Sequence, residues 1–168
     1  MSEIAGWESF LVAMVGAAAA LAGLLVVAIS INLREILRYP WLPARAAETV
    51  VFLGAALVTA GLALMPGQSL TVVGVELLVV GVLAWAVPSI LQIRLHRHPL
   101  ATDGRRPQSY TMATRIGLTQ VATLPTIAGG IILISGSGDG MYFFAAGILA
   151  TFAVALVNAW ILLVEVLR

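Results

Sequence analysis

The sequence predicts an all-α integral membrane protein: a bundle of five transmembrane helices, with the N-terminus outside and the C-terminus cytoplasmic. Three observations carry that prediction. The chain of 168 residues is 61% hydrophobic and only 10% charged, where soluble chains run near ~25% charged. Its apolar residues fall in five long blocks, each close to the roughly 20 residues a helix needs to cross a bilayer. Its basic residues, finally, cluster in segments that the alternation of five spans places on one side. Residues 1–168 form a single membrane-embedded domain, with no room for a separate soluble one.

The first span is read over 7–37, from Trp7 to the stop at Tyr39-Pro40. No basic side chain precedes it, unlike a secretory signal peptide, so the run is expected to be retained. The second span, 49–65, ends at Pro66-Gly67, and the third occupies 70–93. The fourth, 111–135, has its apolar part from Ile116 to Ile134, and the fifth covers 141–167. Pro and Gly punctuate the breaks at 39–43, 66–69 and 135–140, as turns require. No internal repeat is visible.

All nine basic residues are Arg: Arg34, Arg38 and Arg45, then Arg94, Arg97, Arg105, Arg106 and Arg115, then Arg168. The other side carries Glu3, Glu8 and Asp139 and no basic side chain. The excess of Arg marks the cytoplasmic face, which points to a multi-pass protein of the bacterial cytoplasmic membrane. The same Arg residues are expected to meet anionic lipid headgroups. Trp7, Tyr39, Trp41, Tyr110 and Tyr142 fall at span ends, where amphipathic rings favour the headgroup layer. Trp85 lies deeper and reads as a packing residue.

Glu76 is the most informative side chain. It sits six residues into the third span, about 9 Å below its outer end, beside Val73, Val80, Leu83 and Val87. An intramembrane carboxylate normally faces a partner, a cavity or a pathway, and no Arg lies at its depth. Two readings stay open: a protonated carboxyl bonded to a hydroxyl such as Thr59 or Thr126, or an ionised group that attracts protons or cations.

The fourth span carries a polar stripe. Arg115, Thr119, Thr123, Thr126 and Gly130 share a narrow arc, Gln120 borders it, and Pro125 interrupts the helix and frees the Val121 carbonyl. Such a face lines a pathway, or it packs closely while its hydroxyls bond back to their own backbone. The fifth span has a comparable face with Gly147, Thr151, Ala155, Asn158 and Glu165. On the first span, Ala13, Gly16, Ala17, Ala20 and Gly23 form a small-residue face of the kind that lets helices approach closely in lipid. Gly16, Ala20, Gly23, Gly147 and Ala155 are therefore expected to be helix-packing positions. Asn32, Glu35, Glu48, Gln92 and Glu165 are read as a cytoplasmic polar rim near Arg34, Arg38, Arg45 and Arg94, held in salt bridges and in contact with anionic headgroups, or else as a gate or anion-binding vestibule.

Several functions are disfavoured. Without cysteine there is no thiolate nucleophile or Cys-ligated metal. His96, His98 and Asp103 read as a solvated loop rather than a metal site, and 136–140 as a turn rather than a phosphate loop. No nucleophile–base pair suggests an enzyme, no cofactor is implied, and topology explains the Arg excess without nucleic acid. Two functions are expected. One is a small homo-oligomeric channel or transporter for protons or small cations. Its ion-binding or pathway residues would be Glu76, Thr119, Gln120, Thr123, Thr126 and Asn158. The other is a non-conducting accessory or structural subunit that packs against a larger membrane complex.

Overall fold

The computed structural model describes residues 5–38, 42–97 and 112–166. Within them the chain is all-helical, and five helices are long and apolar enough to cross a membrane, as a multi-pass membrane protein requires. After a short 3-10 turn at Ala5–Trp7 come α1 (Glu8–Ile31), α2 (Leu33–Arg38), α3 (Leu42–Ala63), α4 (Leu70–Arg97), α5 (Met112–Ile134) and α6 (Gly140–Val166). Tyr39, Pro40, Trp41, His98, Asp103, Arg105, Arg106, Tyr110 and Arg168 lie outside the described residues, as do the side chains of His96 and Glu165.

The boundaries differ from the sequence reading in three places. The expected 7–37 helix is broken at Asn32, whose side-chain amide donates to the Ala28 carbonyl at 2.9 Å. Asn and Asp side chains compete with the helix ladder in this way, and the chain restarts as the short α2. The second helix begins at Leu42 rather than Thr49, with Pro43 in its first turn, where a missing N–H costs nothing. Arg45 and Glu48 thus lie within a membrane-length helix, not ahead of it. Pro125 does not interrupt α5, which is continuous from Met112 to Ile134, and α4 likewise runs through Pro88.

Helices α3, α4, α5 and α6 form a ring in which each packs on two neighbours, and α1 lies outside it against α3. Trp7 meets Tyr142 edge-on with ring centroids 4.9 Å apart, tying the start of α1 to the start of α6. One end of the ring carries Arg45, Arg94 and Arg115 and is called the arginine end below. At the opposite end, both turns use a glycine at positive φ, Gly67 at +79° and Gly136 at +89°, where an L side chain would be strained.

The ring interior changes character along its length. Toward the opposite end it is apolar, with Val73, Leu77, Leu133, Met141 and Phe144 fully buried. Glycines there bring backbones into direct contact: a Cβ on Gly74 would lie 2.7 Å from the Gly130 carbonyl oxygen, and one on Gly140 2.6 Å from that of Gly129. Toward the arginine end the buried side chains include Arg45, Glu48, Thr49, Gln92, Thr119 and Asn158.

Candidate functional site

The buried polar residues toward the arginine end make the strongest candidate. Glu48 of α3 accepts a hydrogen bond from Arg115 of α5 at 2.5 Å, and their side chains are only 4% and 17% exposed. Arg45, one turn before Glu48, and Gln92 of α4 stand beside the same carboxylate. Gln92 Nε2 donates to the Thr119 hydroxyl at 2.9 Å. Thr119 in turn donates to the Arg115 carbonyl at 3.1 Å, and Thr123 donates to the Thr119 carbonyl at 2.7 Å. Three helices are thereby joined through charge-assisted and neutral bonds in a setting where an unpaired charge is costly.

This corrects the rim reading. Arg45, Glu48 and Gln92 are 3%, 3% and 5% exposed, so they are interior groups, not a solvated edge. Glu35 does behave as rim, paired with Arg38 at 2.9 Å on the exposed surface. The sequence held one clue to the interior pair: Arg115 falls on the same helical stripe as Thr119 and Thr123, a face that has to be buried.

A second polar feature lies further along the ring. Thr59, Thr123, Thr126 and Thr151 line a cavity of about 20 Å³, room for about one water. Thr151 Oγ1 donates across to the Ala122 carbonyl and back to its own Gly147 carbonyl, each at 2.8 Å. The Ala122 carbonyl is next to that of Val121, which Pro125 leaves without its helical donor. Thr59 donates to the Ala55 carbonyl at 2.7 Å. These are the back-bonds of the packing reading, and the glycine contacts close the ring beyond them.

Glu76 lies apart from both features. Gln68 Nε2 reaches across the turn and donates to the two carboxylate oxygens, each at 3.0 Å. Thr59 and Thr126 do not bond Glu76; they face the ring interior instead. Gln120 is also separate, accepting from Trp85 Nε1 at 3.0 Å. Trp85 is 37% exposed, so it joins α4 to α5 near the outer surface of the ring. Of the expected pathway residues, the structure brings Thr119, Thr123, Thr126 and Asn158 to buried positions and leaves Glu76 and Gln120 half-buried on the flanks.

The helix-packing positions split. Gly147 is buried against α5, where an added Cβ would lie 2.8 Å from the Thr126 backbone nitrogen, and Ala155 is 2% exposed. Gly16, Ala20 and Gly23 are exposed, and a Cβ on Gly16 or Gly23 meets nothing within 4 Å. They lie opposite Leu11, Ala18 and Leu25, the residues α1 buries. Among the described residues, this part of α1 faces away from the rest of the bundle.

The chain matches no protein-family model, no curated protein and no solved structure.

Proposed function

We propose that this protein is a non-conducting membrane subunit. The ring α3–α6 is its rigid body, and the small face of α1 docks onto a helix of a larger membrane complex. One observation carries the reading: among the described residues, Gly16, Ala20 and Gly23 turn away from the helices packed on α1. A small-residue face in lipid favours close helix contact. The packed interior supports it too, because the Thr119 and Thr123 hydroxyls that would line a path donate to backbone carbonyls. Purification from native membranes in mild detergent is expected to recover a stoichiometric heterologous partner. Gly16→Leu with Gly23→Leu is expected to lose that partner while leaving the Tm unchanged. A wild-type chain that runs alone as a monomer counts against the reading.

The proposed orientation has the N-terminus outside and the C-terminus in the cytoplasm of a bacterial cell. Because the chain has no cysteine, single introduced thiols report it cleanly. Ser69→Cys and Ser137→Cys are expected to react with an impermeant maleimide in intact cells, and Ser109→Cys only after lysis. The reverse pattern sinks the orientation.

A second reading is favoured by Glu76, a half-buried carboxylate held by one amide at the end that, among the described residues, carries no basic side chain. It stands on the flank of the ring, so only a homo-oligomer places several copies around a shared axis, where a carboxylate ring selects cations. Liposomes with the wild-type protein would then pass protons or monovalent cations, and Glu76→Gln would lower the flux at least tenfold. Wild-type flux no greater than that of empty vesicles ends this reading.

A further inference from the structure

A polar cavity lies where the four helices of the ring meet. Thr59 of α3, Thr123 and Thr126 of α5 and Thr151 of α6 border its volume of about 20 Å³, and Gly81 and Ala84 of α4 complete the wall. Every lining residue except Ala55 is buried. An accessible space of that size admits one water-sized molecule and nothing larger.

The hydroxyls around it are unequal. A Thr hydroxyl has one proton to donate and two lone pairs to accept with. Thr59 gives its proton to the Ala55 carbonyl at 2.7 Å, Thr123 to the Thr119 carbonyl at 2.7 Å and Thr151 to the Ala122 carbonyl at 2.8 Å. Those three keep lone pairs but have no proton left to offer. Thr126 differs. It is only 7% exposed, yet no hydrogen bond ties its hydroxyl among the described residues. A buried hydroxyl without a partner is costly, and of the four this one alone can still donate.

Three acceptors and one donor match a water molecule, which donates to two of the acceptors and accepts from Thr126. That makes three bonds, the usual number for a buried water. A dehydrated cation also seeks acceptors, but in an apolar interior it needs a charge to balance it. No lining residue is charged. Glu48 lies eleven residues before Thr59, about 16 Å along α3, and Glu76 is on the flank, held by Gln68. We propose that the ring binds one water molecule in this cavity, hydrogen-bonded to the Thr126 hydroxyl and to two of Thr59, Thr123 and Thr151. The site rests on the packing of the ring and on neither choice between docking and conduction.

Thermal unfolding of the full chain in one detergent tests this through the sign of a shift. If no water is bound, Thr126→Val replaces an unsatisfied buried hydroxyl with a methyl group and raises the Tm. With the water bound, the same change removes a hydrogen bond and is expected to lower the Tm by about 2–4 °C. A crystal structure that shows ordered water gives the second measurement. In wild type, a density peak is expected within about 3 Å of Thr126 Oγ1 and of two of the other three hydroxyl oxygens. In Thr126→Val that peak is expected to be missing. A Tm of Thr126→Val equal to or above that of wild type overturns the proposal, and so does wild-type density without the peak. A peak that persists in Thr126→Val overturns the role of Thr126. Crystals grown with rubidium in place of sodium separate water from a cation: anomalous signal at the peak overturns the water assignment. If Thr126→Val does not fold, the wild-type structure decides the matter alone.

Discussion

Glu48→Ala is expected to destabilise the protein by about 3–5 kcal/mol, the cost of removing one member of a buried ion pair. The reason is what it leaves behind. Arg115 would keep a guanidinium that is mostly buried, and Arg45, itself 3% exposed, would lose the carboxylate beside it. Replacing both members, Glu48→Leu with Arg115→Met, removes the stranded charge and is expected to recover most of the loss, because apolar packing often equals a buried pair. Recovery should stop short of complete, since Arg45 still stands without that neighbour. Glu48→Gln should fall between, as its amide oxygen still accepts from Arg115 but without charge assistance. Thermal unfolding in one detergent, across the single and double variants, measures these differences. If Glu48→Ala lies within about 0.5 kcal/mol of wild type, the range of ordinary surface substitutions, the pair is a solvated one and the site loses its main argument.

The same pair shows where the sequence could be read and where it could not. Five helices were legible because each supplies its own apolar length, a property of consecutive residues. The start of α3 was not, because hydropathy treats Arg45 and Glu48 as water-seeking wherever they stand. Their burial is decided by Arg115, 67 positions from Glu48 in the chain. Glu76 was legible as an unusual carboxylate with no basic partner, but its actual partner, Gln68, lies across a turn whose geometry the sequence left open. The small-residue faces make the point most directly. Gly16 and Ala20 on α1 have the same four-residue spacing as Gly147 and Thr151 on α6, yet one pair faces outward and the other is locked against α5. Spacing states that a face can be approached closely; only the packing of the other helices states by what.

A second backbone contact, between α4 and α5, supplies the other large effect, at Gly74→Ala. An added Cβ there would sit 2.7 Å from the Gly130 carbonyl oxygen, 2.8 Å from the Ile134 nitrogen and 2.9 Å from the Leu133 Cβ. Two of the three are backbone atoms, which cannot rotate aside, so α4 and α5 must separate. Overpacking of this kind costs about 1–3 kcal/mol and occasionally more, and here it outweighs the gain of about 1 kcal/mol that Ala has over Gly in a helix. Gly130→Ala meets the reciprocal contact, 2.8 Å from the Gly74 carbonyl oxygen, and should cost about as much. The double variant is expected to cost clearly less than the sum, because once the helices have moved apart for one methyl, part of the space for the other exists. Residues that share a contact are coupled in this way. Gly16→Ala and Gly23→Ala provide the contrast: with nothing within 4 Å, each is expected to be neutral or stabilising. Unfolding of the four single variants and the one double variant decides the matter. A Gly74→Ala protein as stable as Gly16→Ala would mean that α4 and α5 do not meet backbone to backbone, and the ring interior would then be open where it is described as closed.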